Sequence, residues 1–344
     1  MTDATQQTPQ TTNGRVETSH HPRTEREGRD YYGIPPIKEH TWTWEVPVYF
    51  WFGGIGAGSH LISTVAQLLG WGDKAFFRTT RYTTFVTMIL SPILLIMDLG
   101  RPERFYNMLR IVKLRSPMST GSWALTIFGG LSGLIAAAQA ARDGLLGRDN
   151  ILVRLVKTFI PDRLLSVVAL PVGLYVGLYS GILISATSVP MWARNFLLMG
   201  PTFLSSGLST GLSAISFILH LGDWGERKTL EALRRTERVA LVIEGALLAA
   251  SLIRMGRWGK PFFSKKLAPL FLGGAIVGGI LAPLALLSGR ESRSRGLLAS
   301  VLALLGGLAL RFAMIEGGRL SARDPQATFT FAKGENLPIS EDEV

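Results

Sequence analysis

The sequence contains no cysteine among its 344 residues. Thiolates ligate iron–sulfur clusters and most structural zinc ions, so we expect no disulfide, no thiolate zinc site and no iron–sulfur cluster within this chain. Histidine is also scarce, and three of the five histidines, His20, His21 and His40, lie in the polar N-terminal part. The other two, His60 and His220, fall short of the paired ligands that a two-haem membrane cytochrome needs, so we expect no haem.

Charged residues are scarce over long stretches of the sequence. Eight windows are apolar enough, and close enough to the roughly 20 residues of a membrane-crossing helix, to be predicted as spans. They cover approximately residues 46–69, 82–97, 119–141, 164–186, 196–220, 239–253, 267–287 and 296–315. The 38 glycines agree with this interpretation, because small residues let membrane helices approach closely. We predict an all-α, polytopic integral membrane protein with about eight transmembrane helices.

The formal net charge of the protein is +11 at pH 7. In a soluble protein this excess would suggest a nucleic-acid partner, but here the basic residues fall in the short segments between apolar windows. Anionic lipid headgroups explain this placement, so we expect contacts with membrane lipids and none with nucleic acid.

The two ends of the sequence are polar. Residues 1–41 form an arm rich in Thr, Gln, Arg and Glu, and residues 319–344 form a tail, leaving 42–318 as the predicted membrane domain. The arm lacks the apolar core of a signal peptide, so we expect no cleavage. Its composition indicates either a disordered segment or one that binds a partner protein.

The segment from Asp98 to Trp123 separates two predicted spans and combines acidic, basic, aromatic and apolar residues. Ser116 precedes Pro117 and is expected to cap the next helix with its hydroxyl group. In the D-L-G-R-P turn, the Asp98 carboxylate can accept hydrogen bonds from the backbone or from Arg101, or both residues can polarise a ligand carbonyl. The alternative is a loop that anchors the protein to lipid headgroups.

Ionisable side chains at membrane depth are costly to bury unless they are paired, and they therefore mark candidate functional sites. Those near the end where the first span begins are Glu45, Asp98, Arg101, Arg311 and Glu316; His60 lies midway, and His220, Asp223 and Glu244 lie toward the other end. One hypothesis is a relay of titratable groups across the membrane. It would run through Glu244, His220, His60, Asp98 and Glu45. In the alternative, each group is satisfied separately, with Arg311 paired to Glu316 or Asp98.

The first predicted span contains the small-residue run G-G-I-G-A-G-S, from Gly53 to Ser59. It is not a phosphate-binding loop, because no strand precedes it and no lysine follows at the required spacing. We predict instead a face that packs closely against another helix.

Five motifs together resemble the NrfD-like membrane subunits of the polysulfide reductase family. They are W-x-W-x-V-P-V-Y-F-x-F-G-G-I-G-A-G, D-L-G-R-P-x-R-F-x-x-M-L, R-S-P-M-S-x-G-S-W, V-P-x-W-A-R-N and G-R-x-S-A-R-D-P-x-A-T-F, and the similarity covers roughly residues 42–331. The resemblance implies about eight transmembrane helices in two four-helix bundles. It also implies that the subunit holds no permanently bound cofactor.

The resemblance further implies a quinone-reactive membrane anchor that exchanges electrons with an iron–sulfur subunit. That subunit in turn often joins a molybdopterin or multihaem catalytic subunit. Menaquinone or ubiquinone would be an exchangeable substrate, and the chain would not be catalytic alone. Its electrons would come from or go to a partner, which agrees with the missing cysteines. The expected location is the bacterial cytoplasmic membrane.

Carried onto this sequence, the resemblance places a quinone pocket near the first span and the loops that follow. The pocket residues would be Trp44, Glu45, His60, Asp98, Arg101, Ser116 and Met118. Proton movement coupled to quinone chemistry is a further hypothesis. Its path would use His60, Asp98, His220 and Glu244.

Two other functions fit parts of the sequence. Spans interrupted by Gly and Pro, with polar groups at mid-membrane, are also typical of secondary transporters. A purely structural anchor would need Asp98 and Arg101 for assembly rather than for quinone chemistry.

Overall fold

The computed structural model describes residues 36–147 and 162–333. Every regular element in these ranges is a helix, which confirms the all-α prediction. The helices of these ranges, numbered in chain order, are α1 (Glu45–Leu69), α2 (Lys74–Met97), α3 (Pro117–Arg142), α4 (Asp162–Ser185), α5 (Pro190–Arg194), α6 (Phe196–Gly222), α7 (Arg227–Met255), α8 (Pro269–Ser288), α9 (Arg293–Ala322) and α10 (Pro325–Lys333). Two 3₁₀ segments, Pro102–Leu109 and Gly256–Phe263, follow α2 and α7.

Seven helices in the described ranges are long and apolar enough to cross a membrane, namely α2, α3, α4, α6, α7, α8 and α9. The sequence predicts eight spans, and the difference lies at α1. This helix has 25 residues, which is long enough, but its middle reads G-G-I-G-A-G-S-H rather than a run of large apolar side chains. The seven apolar helices agree with a polytopic arrangement.

Helix α1 lies at the centre of the helix packing. It contacts α2, α4, α6 and α9, and most of its residues are buried. A helix that is surrounded by other helices does not need an apolar surface toward lipid. This position explains why α1 has a less apolar sequence than its neighbours.

The closest approach in the core joins the glycine run of α1 to α6. A Cβ atom added at Gly58 would overlap with the carbonyl oxygen of Gly207, and one added at Gly211 would lie 2.7 Å from the backbone nitrogen of Ser59. Larger residues would therefore separate the two backbones. The predicted packing role of the glycine run is confirmed.

The pairwise contacts fall into two connected sets. In the first, α1 contacts α2, α2 contacts α3, α3 contacts α4, and α4 returns to α1. In the second, α6 contacts α7 and α9, while α8 contacts both α7 and α9. Helix α6 joins the sets, because it also packs against α1 and α4.

Hydrogen bonds between distant segments tie together the two ends of the helix assembly. At end A, where α1 begins and α2 ends, Arg319 donates to the carbonyl oxygen of Trp42 at 2.7 Å and Ser321 Oγ accepts from the Met191 nitrogen at 3.3 Å. At end B, where α1 ends and α2 begins, Arg293 donates to the carbonyl oxygen of His220 at 2.8 Å.

The segment before α1 lies against end A. Glu39 accepts two hydrogen bonds from Arg323, at 2.6 and 2.9 Å. The ring of His40 stacks on Trp192 with 5.4 Å between centroids, and its Nε2 atom lies 3.3 Å from the carbonyl oxygen of Ile315. The last part of the predicted polar arm is thus folded onto the helices.

The predicted division into an arm, a membrane domain and a tail can be compared with the helices of the structure. Helix α9 continues through the expected boundary at residue 318 and ends at Ala322, and α10 follows it. Residues 1–35, where the prediction of disorder or partner binding mainly falls, lie outside the described residues, as do residues 334–344.

Candidate functional site

At end A, the carboxylate of Asp98 meets the segment that precedes α1. Its Oδ1 atom lies 3.5 Å from the backbone nitrogen of Thr43, which donates to it, and 3.4 Å from the Thr43 hydroxyl, which is positioned to donate to it. The same hydroxyl is also within hydrogen-bonding distance of Glu45. A hydroxyl has one proton to donate, so Thr43 can serve only one of the two carboxylates at a time. The two acids predicted for this end therefore lie together.

Burial raises the pKa of Asp98 above its ordinary value. The hydrogen bonds from Thr43 oppose this shift, and the negative charge of Glu45 adds to it. A carboxyl group with a raised pKa keeps its proton to higher pH than an ordinary aspartate does. A positioned carboxyl group that keeps its proton to higher pH can act as a proton donor to a bound ligand.

Arg101 lies in the same turn, but it does not pair with Asp98. Its side chain is exposed, and it forms no ion pair with any residue in the described ranges. Its carbonyl oxygen accepts from the Arg104 nitrogen at 3.0 Å and so starts the 3₁₀ segment. Asp98 was expected to accept hydrogen bonds from the backbone or from Arg101. The structure contains the backbone bond, which comes from the Thr43 nitrogen.

Ser116 caps α3 as predicted, because its hydroxyl oxygen accepts from the Ser119 nitrogen at 3.5 Å. Ser119 in turn donates to the carbonyl oxygen of Ile111 at 3.2 Å, which holds the loop against the start of α3. Met118 and Trp44 lie at the same end, with 50% and 54% of their surfaces exposed. Their apolar surfaces are therefore accessible from end A.

The loop between α2 and α3 exposes an unusual amount of apolar surface. Its exposed apolar residues are Phe105, Tyr106, Ile111, Val112 and Leu114. Basic side chains alternate with them along the same loop; these are Arg101, Arg104, Arg110, Lys113 and Arg115. We call residues 99–115 the end A loop. Its mixed apolar and basic surface suits contact with another protein or with lipid headgroups.

His60 lies far from this cluster. It is buried on α1, about 22 Å farther along the helix axis than Glu45 at 1.5 Å per residue. Its Nε2 atom is 3.1 Å from the carbonyl oxygen of Ser166 on α4, and its ring meets Phe128 edge to face. The structure does not bring His60 together with Asp98.

A small polar cavity of about 10 Å³ adjoins His60. This volume is on the order of one water molecule. Buried Arg81 also lines the cavity; it donates to Gln139 and to Asp162, both at 2.6 Å. Sequence reasoning did not single out Arg81. The available signal was an arginine directly before an apolar window.

Glu244 is buried on α7 and bonded to serines of α6. Ser209 donates to its carboxylate, and Ser206 bonds to it as well. Ser206 also accepts from Arg311 of α9, which donates to the carbonyl oxygen of Gly307 at 3.0 Å. A serine therefore connects the buried carboxylate to the buried guanidinium group.

This arrangement corrects the expected pairing of Arg311. Its guanidinium group contacts neither Glu316 nor Asp98; Glu316 instead pairs with Arg319 at 2.6 Å. The reason is helical geometry, because a residue five positions away lies on a different helix face. Asp223 also differs from expectation, since 83% of its side chain is exposed at end B.

Glu237 is a buried acid that sequence reasoning missed. It is fully buried on α7, one heptad before Glu244, and accepts from Ser213 at 2.6 Å and from Ser216. The sequence contained a signal for this site. Two acids of α7, Glu237 and Glu244, are seven residues apart and so share a helix face, and α6 carries serines that are spaced by three or four residues and share a face as well. These serines are Ser206, Ser209, Ser213 and Ser216.

His220 is the last of these polar groups and lies at end B. Its Nδ1 atom lies 2.7 Å from the carbonyl oxygen and 3.3 Å from the hydroxyl of Ser216. We call the polar groups between His220 and Arg311 the α6–α7 track; it extends over about 21 Å along α6, from Ser206 to His220. Within the described ranges, no hydrogen bond connects the track to His60 or to Asp98.

The similarity to known protein families decides where the chain belongs. The family described as "Polysulphide reductase, NrfD" matches residues 36–322. The chain is a member of this family. The resemblance indicated by the five motifs is therefore confirmed. Membership of the NrfD family together with the seven apolar helices shows a multi-pass membrane protein.

Two relatives belong to reductases. A polysulfide reductase chain of Wolinella succinogenes is 24% identical over 302 residues, which cover 81% of this chain and 94% of that protein. A selenate reductase subunit of Mesobacillus selenatarsenatis is 31% identical over 91 residues, or 26% of this chain and 20% of that protein. The NrfD family and these relatives agree with the expected role as a membrane subunit of a reductase complex.

The structure offers no cluster of metal ligands in the part that it describes. Across residues 36–147 and 162–333, no three His, Asp or Glu side chains are grouped closely enough to hold a metal ion.

Proposed function

We propose that this chain is the quinone-reactive membrane subunit of a respiratory reductase complex in the bacterial cytoplasmic membrane. The observation that carries the proposal is the pair of acids, Asp98 and Glu45, that share Thr43 at end A within the NrfD-matched region. In this proposal α1 crosses the membrane as an eighth span, enclosed by the others, and the helices form two four-helix bundles.

The proposed site fits the chemistry of a quinone. Reduction of a quinone consumes two electrons and two protons, so its carbonyl oxygens need groups that donate protons. The acid pair supplies protonatable carboxyl groups, and Ser116 and Arg101 are further polar groups of the same end. Trp44 and Met118 supply exposed apolar surface for the quinone ring.

The electrons are proposed to pass between the quinone and an iron–sulfur subunit that docks on the end A loop. Apolar side chains interspersed with cations suit a partner with an acidic rim, because the apolar surface gives affinity and the charges give orientation. A molybdopterin or multihaem catalytic subunit would join through that partner. Both relatives are single parts of named reductases, which supports an assembly of several chains.

Proton coupling is the second part of the proposal. The α6–α7 track would carry protons between end B and Arg311, and His60 with its small cavity would serve a separate path near α4. Asp98 would exchange protons with quinone at end A. The track replaces the single relay expected from the sequence, because His60 has no hydrogen bond to it.

The proposal is tested by purifying the chain with its partners in mild detergent. The sample is analysed by mass spectrometry for subunits, and its lipid extract is analysed for quinone. We expect an iron–sulfur subunit and a bound menaquinone or ubiquinone. A chain that is recovered alone, without quinone and without iron, would favour the secondary transporter instead.

The structural anchor predicts a different result. In that case the partners would be present, but substitutions at Asp98 would weaken assembly and leave quinone kinetics unchanged. Measuring the amounts of the subunits and the quinone kinetics on the same preparation distinguishes the two functions.

A further inference from the structure

A large cavity opens at end B, away from the acid pair. It has a volume of about 810 Å³ and lies between the start of α2, the end of α3 and the turn after α6. Neither the proposed quinone site nor the α6–α7 track uses it.

The cavity lining is rich in cations. Lys74, Arg78, Arg81 and Arg142 line it together with one carboxylate, that of Asp143. A second carboxylate, Asp162, bridges Arg81 and Arg142 at 2.6 and 2.7 Å. A third carboxylate, Asp73, lies beside the lining residue Gly225 and accepts from the Glu226 nitrogen. Four cations against these three acids leave an excess of one positive charge.

The excess charge lies at the accessible side of the cavity. The side chain of Arg78 is 55% exposed although it contacts Asp143 at 3.1 Å, and Lys74 is exposed at the start of α2. The Asp143 carboxylate also accepts from Tyr82 at 2.8 Å and from Gln139 at 3.0 Å, so it divides its oxygens among three donors. Lys74 forms no ion pair in the described ranges. Lys74 and Arg78 can therefore bind an additional anion.

An apolar groove adjoins the cavity. Its volume is about 450 Å³, and it shares Arg78, Thr79 and Trp224 with the cavity. The remaining lining residues are Tyr82, Thr83, Val86, Thr87 and Ile218. From Arg78 to Thr87 the groove follows α2 for about 13 Å, which leads from the helix end toward the middle of the span.

We propose that the cavity and the groove together bind one anionic phospholipid. Its phosphate lies between Lys74 and Arg78, and an acyl chain lies in the groove beside Val86. Trp224 and Tyr82 line the groove, and aromatic side chains of this kind are enriched at membrane–water interfaces. An anion without a hydrocarbon chain would leave the apolar groove without an occupant, and a lipid without net charge would leave the excess positive charge of the cavity without a counter-charge.

The test uses the full-length chain with the subunits that purify with it, delipidated in detergent. Phosphatidylglycerol and phosphatidylcholine with the same acyl chains are titrated separately, and bound lipid is counted by native mass spectrometry. We expect one phosphatidylglycerol to bind in preference to phosphatidylcholine. The double variant Lys74→Gln, Arg78→Gln should bind it roughly 30-fold more weakly, since each basic residue contributes on the order of 1 kcal/mol.

Arg227→Gln is the matched control, because this cation lies at end B on α7 and pairs with Glu231 on the surface. It should bind lipid as the unmodified chain does. The variant Val86→Trp fills the groove at a side chain that is 50% exposed, and should lose lipid while keeping the fold.

Three results of the lipid titrations would overturn the proposal, and a fourth comes from a phosphate control. These are equal binding of the two lipids, unchanged binding by the double variant, or unchanged binding by Val86→Trp. Inorganic phosphate is the last probe; if it protects the cavity arginines from chemical modification as well as phosphatidylglycerol does, the site recognises a free anion rather than a lipid. None of these measurements depends on reductase activity.

Discussion

Asp98 and Glu45 share the hydroxyl group of Thr43 at end A, although 53 positions separate the two acids in the sequence. Thr43 comes just before α1 and Asp98 comes just after α2, so the contact requires the two helices to run antiparallel with their ends in register. The shared donor couples the two carboxylates, because satisfying one leaves the other without that hydrogen bond. The negative charge of Glu45 also favours the protonated form of Asp98.

Replacing Asp98 with Asn should lower quinone turnover by about 10²-fold or more, the usual contribution of a positioned acid or base. Asn has nearly the same shape but cannot exchange a proton. The measurement is kcat with a soluble quinone analogue in the intact complex, together with partner content. Glu103→Gln is the control, since Glu103 is an exposed acid of the end A loop.

The rate of quinone reduction by the unmodified complex and by the Asp98→Asn variant should differ in its dependence on pH. Because burial raises the pKa of Asp98, its protonated form persists above the ordinary pKa of an aspartate and disappears as pH rises through the raised value. Quinone reduction that draws on this proton should decline over that range in the unmodified complex. The Asp98→Asn variant should not show this decline. Identical pH profiles would remove Asp98 from the proton supply.

Replacing Glu244 or Glu237 with Gln should interrupt the α6–α7 track. Both carboxylates are buried and bonded to serines, and Gln preserves their size while removing the titratable proton. We expect the rate of coupled proton uptake to fall on the order of 10²-fold. The rate of proton uptake in proteoliposomes, recorded together with the uptake per quinol, measures the effect.

The control for this pair is Glu231→Gln, an acid on the same helix with 40% of its side chain exposed. It should leave the coupling unchanged. If all three variants couple protons normally, the α6–α7 track is a structural network only.

Replacing Gly58 with Ala should destabilise the packing of α1 on α6. The new methyl group would overlap with the carbonyl oxygen of Gly207, so the backbones must move apart, at a cost of about 1–3 kcal/mol. Thermal unfolding in detergent measures the loss. Gly130→Ala on α3 is the control, because its added Cβ would meet no atom of another described helix within 4 Å. Equal melting temperatures for the two variants would contradict the close approach.

Acidification should loosen the segment 36–44 from end A. Burial among aromatic rings lowers the pKa of His40, and the bond from Arg323 lowers the pKa of Glu39. Both groups therefore stabilise docking above their ordinary pKa values and lose that contribution as pH falls through the lowered values, His40 first.

Hydrogen exchange of this segment, measured between about pH 7.5 and pH 5, reports the loosening. Exchange corrected for its intrinsic pH dependence should rise as pH falls. His40→Phe should flatten the rise, because the ring remains but no longer gains a charge. A protection that stays constant over the range in the unmodified chain would contradict the prediction.

Local signals predicted several features correctly. The apolar windows located most spans, the Ser116-Pro117 pair located the start of α3, and the glycine run predicted a close helix contact. Each depends on residues that are neighbours in the sequence. Asp98 and Glu45 were placed at one end because alternating spans return the chain to the same side.

Other features depend on which helix faces meet, and these were missed or wrong. Arg311 was expected to pair with Glu316 or Asp98, but its position on α9 turns it toward Ser206. Glu237 was missed because its partner serines lie on another helix. The assignment of His60 to the quinone pocket stays a prediction; its side chain lies near α4 and forms no hydrogen bond with Asp98.

The sequence by itself determined the all-helical class, the membrane setting and the family, because these follow from hydrophobic runs and short motifs that remain local in the sequence. The tertiary structure decided which polar groups share a site. That choice depends on helix rotation and register, since a side chain two positions along a helix faces about the opposite direction. The acid pair at Thr43, the α6–α7 track and the cationic cavity at end B all arise from contacts between helices.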